Sequence, residues 1–266
     1  MELYVYSLKS SKTKKEIIDY IEDELKKIYQ DIKFVALDSF LSMDLKDVSI
    51  VIISGGDGTF TRAINKCALY PNITLGYIPL GTANDMGRNL GIKNYKDALK
   101  KIKNGFIKKY NLLDVIEDNK HIYFNYAFCF GNMAKVSTNA KIENKKRLSK
   151  FDYLLRGCKL LFCKKEKVTA VINGKEVTRK VRALIVFRSK YLGGYRIKWK
   201  KDDKMRIAFI SNIFALGFMF ILNIPIAKVI RNVQIKSDAI SSYDGENGNF
   251  KNVLINVSDK EVKIFT

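Results

Sequence analysis

Asp47-Val48-Ser49-Ile50-Val51-Ile52-Ile53-Ser54-Gly55-Gly56-Asp57-Gly58-Thr59 is the stretch whose reading decides the fold. A β-branched apolar run enters a turn with glycine at three of four positions, and helical periodicity follows over residues 59–69. That order predicts a buried strand, a tight turn and a helix. Glycine suits the turn because a side chain would hold backbone N–H groups away from phosphate oxygens, and the helix start adds partial positive charge. Gly55, Gly56, Gly58 and Thr59 are therefore candidate nucleotide-phosphate contacts. Asp57 would repel phosphates on its own. It makes sense beside a Mg²⁺ ion, directly or through water, and so is also a candidate metal ligand.

A second turn follows at the end of the next strand signal: Ile78-Pro79-Leu80-Gly81-Thr82-Ala83-Asn84-Asp85-Met86-Gly87-Arg88. Ligands of open α/β sheets bind at the carboxyl ends of strands, where both turns would lie. Gly81 permits close backbone approach, Thr82 and Asn84 offer hydrogen bonds to nucleotide, and Asp85 is a second acid for a metal–water network.

Working outward, residues 1–106 alternate strand and helix signals. Strands are expected at 3–8, 33–37, 48–54 and 73–78. Helices are expected after Thr13-Lys14-Lys15-Glu16, which reads as a capping box, over 59–69, and over 96–103 with Gly105 as its stop. This is the pattern of a parallel sheet covered by helices. From residue 107 the signals become short strands: 112–117 and 121–130, a hairpin across Asn173-Gly174, then 182–187, 205–210, 233–236, 252–257 and 261–265, interrupted by a helix around 146–162. The fold class expected is an α/β domain (1–106) followed by a mostly antiparallel β-sandwich domain (107–266).

The net charge of +21 points to a polyanionic partner surface. Residues 134–266 hold 29 Lys/Arg against 11 Asp/Glu, and residues 1–133 hold 19 against 16. The second half is thus expected to dock on an anionic membrane, with Lys198-Trp199-Lys200-Lys201, Lys164-Lys165 and Lys145-Lys146-Arg147 as contacts. No motif for reading nucleic acid is present, so none is expected as partner. The four cysteines form no CxxC pair, and the single His121 excludes a His-based metal cluster. No basic n-region opens the chain, so no signal peptide is expected. The uncharged run 207–227 reads as a strand followed by a buried or interface-lying helix rather than a membrane span.

The two turns together resemble the diacylglycerol-kinase family, which also includes sphingosine and ceramide kinases; NAD kinases share the first turn but not the second in this form. Phe124-Asn125-Tyr126-Ala127 with Gly131, Leu192-Gly193-Gly194 and Tyr243-Asp244-Gly245-Glu246 resemble further family segments. The resemblance implies a diacylglycerol-kinase-like phosphotransferase that uses ATP and Mg²⁺, with ATP in a cleft between the two domains. It implies Glu246 as general base, with Asp57 and Asp244 also counted as catalytic. The family's first loop usually carries Asn-Pro and Ser-Gly; here it reads Ser7-Leu8-Lys9-Ser10-Ser11-Lys12, with Lys9 and Ser10 as phosphate candidates. The family's Pro-x-Ala before a pair of aspartates is missing ahead of Asp202-Asp203. The resemblance further implies a membrane-lipid acceptor and a cytoplasmic protein held peripherally at the inner face of the membrane, with a homodimer left open. The alternatives are an NAD-kinase-like small-molecule kinase and a non-catalytic membrane-binding relative.

Overall fold

The computed structural model describes residues 1–8, 12, 14–132, 134, 164–197, 204–212 and 227–266. The chain divides into two compact units, Met1–Leu112 with Asp259–Thr266, and Leu113–Ser258. The first contains β1 (Glu2–Tyr6), α1 (Lys15–Ile28), β2 (Lys33–Ala36), α2 (Leu37–Ser42), β3 (Ile50–Gly55), α3 (Asp57–Cys67), β4 (Thr74–Pro79), α4 (Asp85–Asn89) and α5 (Tyr95–Asn104), together with the start of β5 (Ile107–Glu117).

Strands β2, β1, β3 and β4 are adjacent in that order and all parallel. The chain winds from β1 outward to β2, then back across β1 to β3, which makes the β1/β3 border the switch point where the loops diverge. The middle strands are apolar throughout because both faces are covered: Val51, Ile52, Ile53, Leu75 and Ile78 are buried. Helix α1 adds Ile18, Ile21 and Leu25 from one stripe, each such side chain contributing about 1.5–3 kcal/mol on burial. Its N-cap is Lys14, with no side-chain cap; Thr13 of the expected capping box lies outside the described residues. Helix α5 ends as expected, at Gly105 in the left-handed region with φ 72°. Helix α2 was not anticipated, since six residues are too few to show a period.

The second unit contains β6 (Lys120–Phe124), β7 (Ala127–Gly131), β8 (Glu166–Ile172), β9 (Lys175–Val181), β10 (Ala183–Phe187), β11 (Tyr191–Leu192), β12 (Tyr195–Arg196), β13 (Met205–Ile210), β14 (Lys228–Ile230), β15 (Asn232–Lys236), β16 (Ser241–Tyr243) and β17 (Glu246–Gly248), with part of β18 (Asn252–Phe265). One antiparallel sheet runs β14-β13-β10-β7-β16-β17. A second layer runs β18-β15-β8-β9. Phe128, Phe130, Leu184 and Ile207 of the first share a core with Val168, Ala170, Val233 and Ile255 of the second, which makes the unit a sandwich. The β8–β9 turn has Asn173 at φ 52° and Gly174 at φ 76°, the two left-handed residues a two-residue hairpin needs.

Two expectations change. The run 121–130 is two strands, broken at Asn125-Tyr126 because those N–H groups bond a side chain rather than a ladder. The runs 252–257 and 261–265 are one strand, β18. No turn forms at Ser258-Asp259-Lys260 because both ends are paired in register, Asn256 with Asn232 and Lys263 with Thr74. The helix expected around 146–162 lies outside the described residues. No helix among the described residues is long and apolar enough to cross a membrane.

Candidate functional site

In the first unit β3 and β4 end side by side, with Gly55 opposite Pro79. Gly56 caps α3 in extended conformation, and the helix begins at Asp57. The turn after β4 folds over this point. A Cβ placed on Gly81 would stand 2.6 Å from the Gly56 Cα and 2.7 Å from Asn84 Oδ1, so the two turns touch backbone to backbone. The contact is pinned by the Leu80 N–H, which donates to the Gly55 carbonyl at 2.8 Å, and by the Tyr77 hydroxyl, which donates to the same oxygen at 3.3 Å.

Asp57 ties the two turns together. Its Oδ2 accepts from the Asp85 N–H at 3.1 Å and its Oδ1 from the Met86 N–H at 3.0 Å. The carboxylate therefore sits on the first turn of α4, where backbone donors lack intrahelical acceptors. Asn84 takes the left-handed conformation, φ 52°. Its side chain closes the turn reciprocally, accepting from the Gly81 N–H and donating to the Gly81 carbonyl, both at 2.8 Å. Arg88 Nε donates to the Ala83 carbonyl at 3.0 Å. Asparagine tolerates this backbone better than most residues, which explains its place in the motif.

Gly56, Asp57, Gly58, Thr59, Thr82 and Asn84 are half-buried, while Gly55 and Gly81 are buried. The first i→i−4 bond of α3 runs from the Phe60 N–H to the Gly56 carbonyl, so the Gly58 and Thr59 N–H groups belong to the open end of the helix. Lys12 joins the site through its N–H, which donates to the Leu80 carbonyl at 3.0 Å. Lys9 and Ser10 lie outside the described residues. Asp85 is 1% exposed. Burial drives the Tyr77 hydroxyl well above its ordinary pKa, with the Asp57 and Asp85 charges adding to the shift. Among the described residues no three His, Cys, Asp or Glu side chains gather as a metal cage.

The second unit places the other two candidates on one tight turn. Asp244 and Gly245, at φ 45° and 80°, join β16 to β17. Asp244 is 2% exposed and accepts four hydrogen bonds. Its Oδ2 takes the Asn125 N–H at 2.6 Å and Asn125 Nδ2 at 3.0 Å, and its Oδ1 takes the N–H groups of Tyr126 at 2.9 Å and Ala127 at 3.0 Å. Its own N–H donates to the Ala127 carbonyl at 2.8 Å. A carboxylate has about four lone-pair sites, so this one holds the turn and has nothing left over for a substrate proton. Glu246, the first residue past the turn, is half-buried. Cys129, whose β7 neighbour Phe128 pairs with Tyr243, has its thiol pushed up to about 12, first by burial and then by the Asp244 charge.

The sequence did not mark the roles of three residues, although Asn125 and Met86 lie in stretches quoted above. Tyr77 and Asn125 look like ordinary strand residues, and Met86 takes part only through its N–H. The single His121 sits with Nδ1 2.7 Å from Asp114 Oδ2. Asp202, Asp203, Trp199 and the basic cluster 145–147 lie outside the described residues.

Residues 8–115 match the diacylglycerol kinase catalytic domain. A diacylglycerol kinase of Bacillus subtilis (strain 168) is 26% identical over 223 residues, which are 81% of this chain and 70% of that protein. Diacylglycerol kinases of Staphylococcus aureus are 34% identical over 118 residues, 44% of this chain but about a third (36%) of their own length. Among solved structures, a diacylglycerol kinase from Bacillus anthracis str. Sterne shares the fold, with a TM-score of 0.79, 20% identity, and coverage of 99% of this chain and 96% of that one. An NAD kinase from Archaeoglobus fulgidus in complex with ATP shares it more distantly, with a TM-score of 0.59, 15% identity, and coverage of 100% and 94%.

Proposed function

We propose, from the premise that residues 8–115 belong to the diacylglycerol kinase catalytic-domain family, that the chain transfers the γ-phosphoryl group of ATP to a hydroxyl of diacylglycerol or a closely related membrane lipid. The observation that carries this reading is the bare contact of Gly56 with Gly81. It brings the second turn against the start of α3, where the Gly58 and Thr59 N–H groups lie at the open end of a helix whose dipole favours anions. In this reading phosphates lie against residues 55–59 and 81–85.

Phosphoryl transfer depends on positioning and on neutralising charge. Mg²⁺ keeps several waters and takes only one or two protein carboxylates, with nucleotide oxygens completing its shell. Asp57 and Asp85 fit that need as a pair; when bound, the ion would neutralise charge on the phosphates. Asp57 also holds α4 in place. Glu246 takes the proton of the acceptor hydroxyl as that oxygen bonds to the γ-phosphorus and the bond to the departing ADP oxygen breaks. The saturated Asp244 fixes the turn from which Glu246 extends, so we assign Asp244 to positioning rather than to proton transfer. The lipid acceptor implies peripheral attachment to an anionic membrane at its cytoplasmic face.

The test is transfer of labelled phosphate from ATP to diacylglycerol in mixed micelles with Mg²⁺, with NAD as a competing acceptor. Glu246→Gln should lower kcat by about 10²–10⁴ while leaving KM for ATP unchanged. Label on NAD instead of lipid, or near-normal turnover by a folded Glu246→Gln protein, overturns the proposal.

A further inference from the structure

Charge counted by halves hides a local concentration. Residues 93–109, Lys-Asn-Tyr-Lys-Asp-Ala-Leu-Lys-Lys-Ile-Lys-Asn-Gly-Phe-Ile-Lys-Lys, hold seven lysines against one acid. The other 116 residues of 1–133 hold 12 basic against 15 acidic side chains. All the excess positive charge of this half therefore lies on α5 and the residues that flank it. Lys96, Lys100 and Lys103 are exposed at i, i+4 and i+7, one stripe of the helix. The stripe leads to the C-terminus of α5, where Phe106 is 70% exposed and Ile107 49% exposed, and exposed Lys108 follows.

Scattered exposed apolar residues are ordinary. Here two are adjacent, and their backbone is held in place. Gly105 donates its N–H to the Lys101 and Ile102 carbonyls, and the Phe106 carbonyl accepts the N–H of Thr266 at 2.9 Å. A phenylalanine held out to solvent beside a lysine row has the chemistry of an interfacial wedge: apolar groups enter the acyl boundary while cations stay at the headgroups.

We infer that Phe106 and Ile107, with the lysines of α5 and Lys108, form a surface that docks the first unit onto an anionic lipid bilayer. Its purpose rests on the lipid-kinase reading; its existence does not. The surface is separate from the residues that would hold nucleotide, so its loss leaves the phosphate turns intact.

The test is partitioning of the full chain onto vesicles of equal parts phosphatidylglycerol and phosphatidylcholine, and onto phosphatidylcholine alone, at low and high salt. Phe106→Ser with Ile107→Ser should weaken partitioning onto the mixed vesicles about tenfold or more, at either salt concentration. Lys100→Gln with Lys103→Gln should weaken it about twentyfold at low salt, since each cation near an anionic leaflet contributes about fivefold. That second loss should shrink at high salt, where exposed charges are screened. All four positions face solvent, so the unfolding curves should not move. Both double variants should keep full activity on a short-chain diacylglycerol in neutral detergent micelles. Wild-type protein that shows Phe106-dependent vesicle binding without phosphorylating any lipid would defeat the kinase reading and support this surface. Activity in micelles with vesicle binding indifferent to both double variants would do the reverse. Preferential binding to duplex DNA or RNA, or self-association abolished by Phe106→Ser, would overturn it in favour of another occupant.

Discussion

Each unit fixes its candidate residues with one aspartate caught by the backbone of another segment, and the two aspartates are not equivalent. Asp57 accepts two backbone N–H groups and stays half-buried, at a turn built from glycines. Asp244 accepts four donors and is 2% exposed. Four donors fill the lone-pair sites of a carboxylate, so Asp244 is part of the frame, whereas Asp57 clasps a second turn from a half-buried position. The same residue type in similar tight turns thus stands in two settings, one buried in a cage and one half-buried between glycine turns.

The largest expected effect breaks the frame. Asp244→Ala removes the carboxylate that accepts from three backbone N–H groups and one side-chain amide in a buried place, at a cost of about 3–5 kcal/mol. That is a large share of the 5–15 kcal/mol typical of a domain. Urea unfolding of the variant should show this loss, and Cys129, half-buried with its thiol pushed up to about 12 in the wild type, should react faster with alkylating agents under native conditions. Stability within about 1 kcal/mol of wild type, which is the net worth of a single ordinary hydrogen bond, would mean that the cage is not the frame.

Next in size is Gly81→Ala. The new methyl meets main chain, the Gly56 Cα at 2.6 Å, so the turns must separate at a cost of about 1–3 kcal/mol. Unlike Asp244→Ala, this change should remove any rise in Tm that ATP produces while leaving the reactivity of Cys129 as in the wild type. An unchanged ATP-induced shift would show that the turns tolerate separation and that their contact does not shape the phosphate site.

Asp57→Asn sharpens the contrast further. One oxygen remains to accept an N–H, so the loss of α4 capping should cost only about 1 kcal/mol in urea unfolding. Phosphoryl transfer should fall more than that, by about tenfold or greater, if the lost charge holds a metal ion as proposed. If stability fell as far as in Asp244→Ala while turnover of the remaining folded protein stayed normal, Asp57 would be frame as well.

How much of this could be read from sequence follows from distance along the chain. The turns at 55–59 and 81–85 declare themselves because glycine spacing is local and each turn is entered from an apolar strand. The Asp57 clasp spans 28 residues and the Asp244 cage 119, and nothing at either end marks the partner. Asp244-Gly245 reads as a hairpin turn with or without the cage. The cage also explains the false continuity of 121–130: the residues are apolar enough for one strand, but three successive N–H groups are diverted to a side chain. The return of β18 to pair with β4 carried no local signal either, and Ser258-Asp259-Lys260 has the composition of a turn. Averaging charge over halves concealed the lysine row before Phe106.

A third aspartate tests the rule from the other side and carries the smallest effect. Among the described residues no backbone donor cages Asp114: one oxygen faces His121 Nδ1 at 2.7 Å, and Oδ1 is buried with no hydrogen-bond partner among them. Burial raises its pKa above the ordinary carboxylate value, and the His121 contact only partly opposes this. The folded state therefore holds this proton more tightly than the unfolded chain. The contribution to stability is present below the ordinary carboxylate range and is lost as pH rises through the elevated folded value. Asp114→Asn removes the titration, so the variant should gain on the wild type as pH rises from the acid side toward neutrality. Urea unfolding of both proteins across that range measures the difference. A gap that is constant with pH would mean that His121 compensates the buried charge as fully as backbone N–H groups satisfy Asp244.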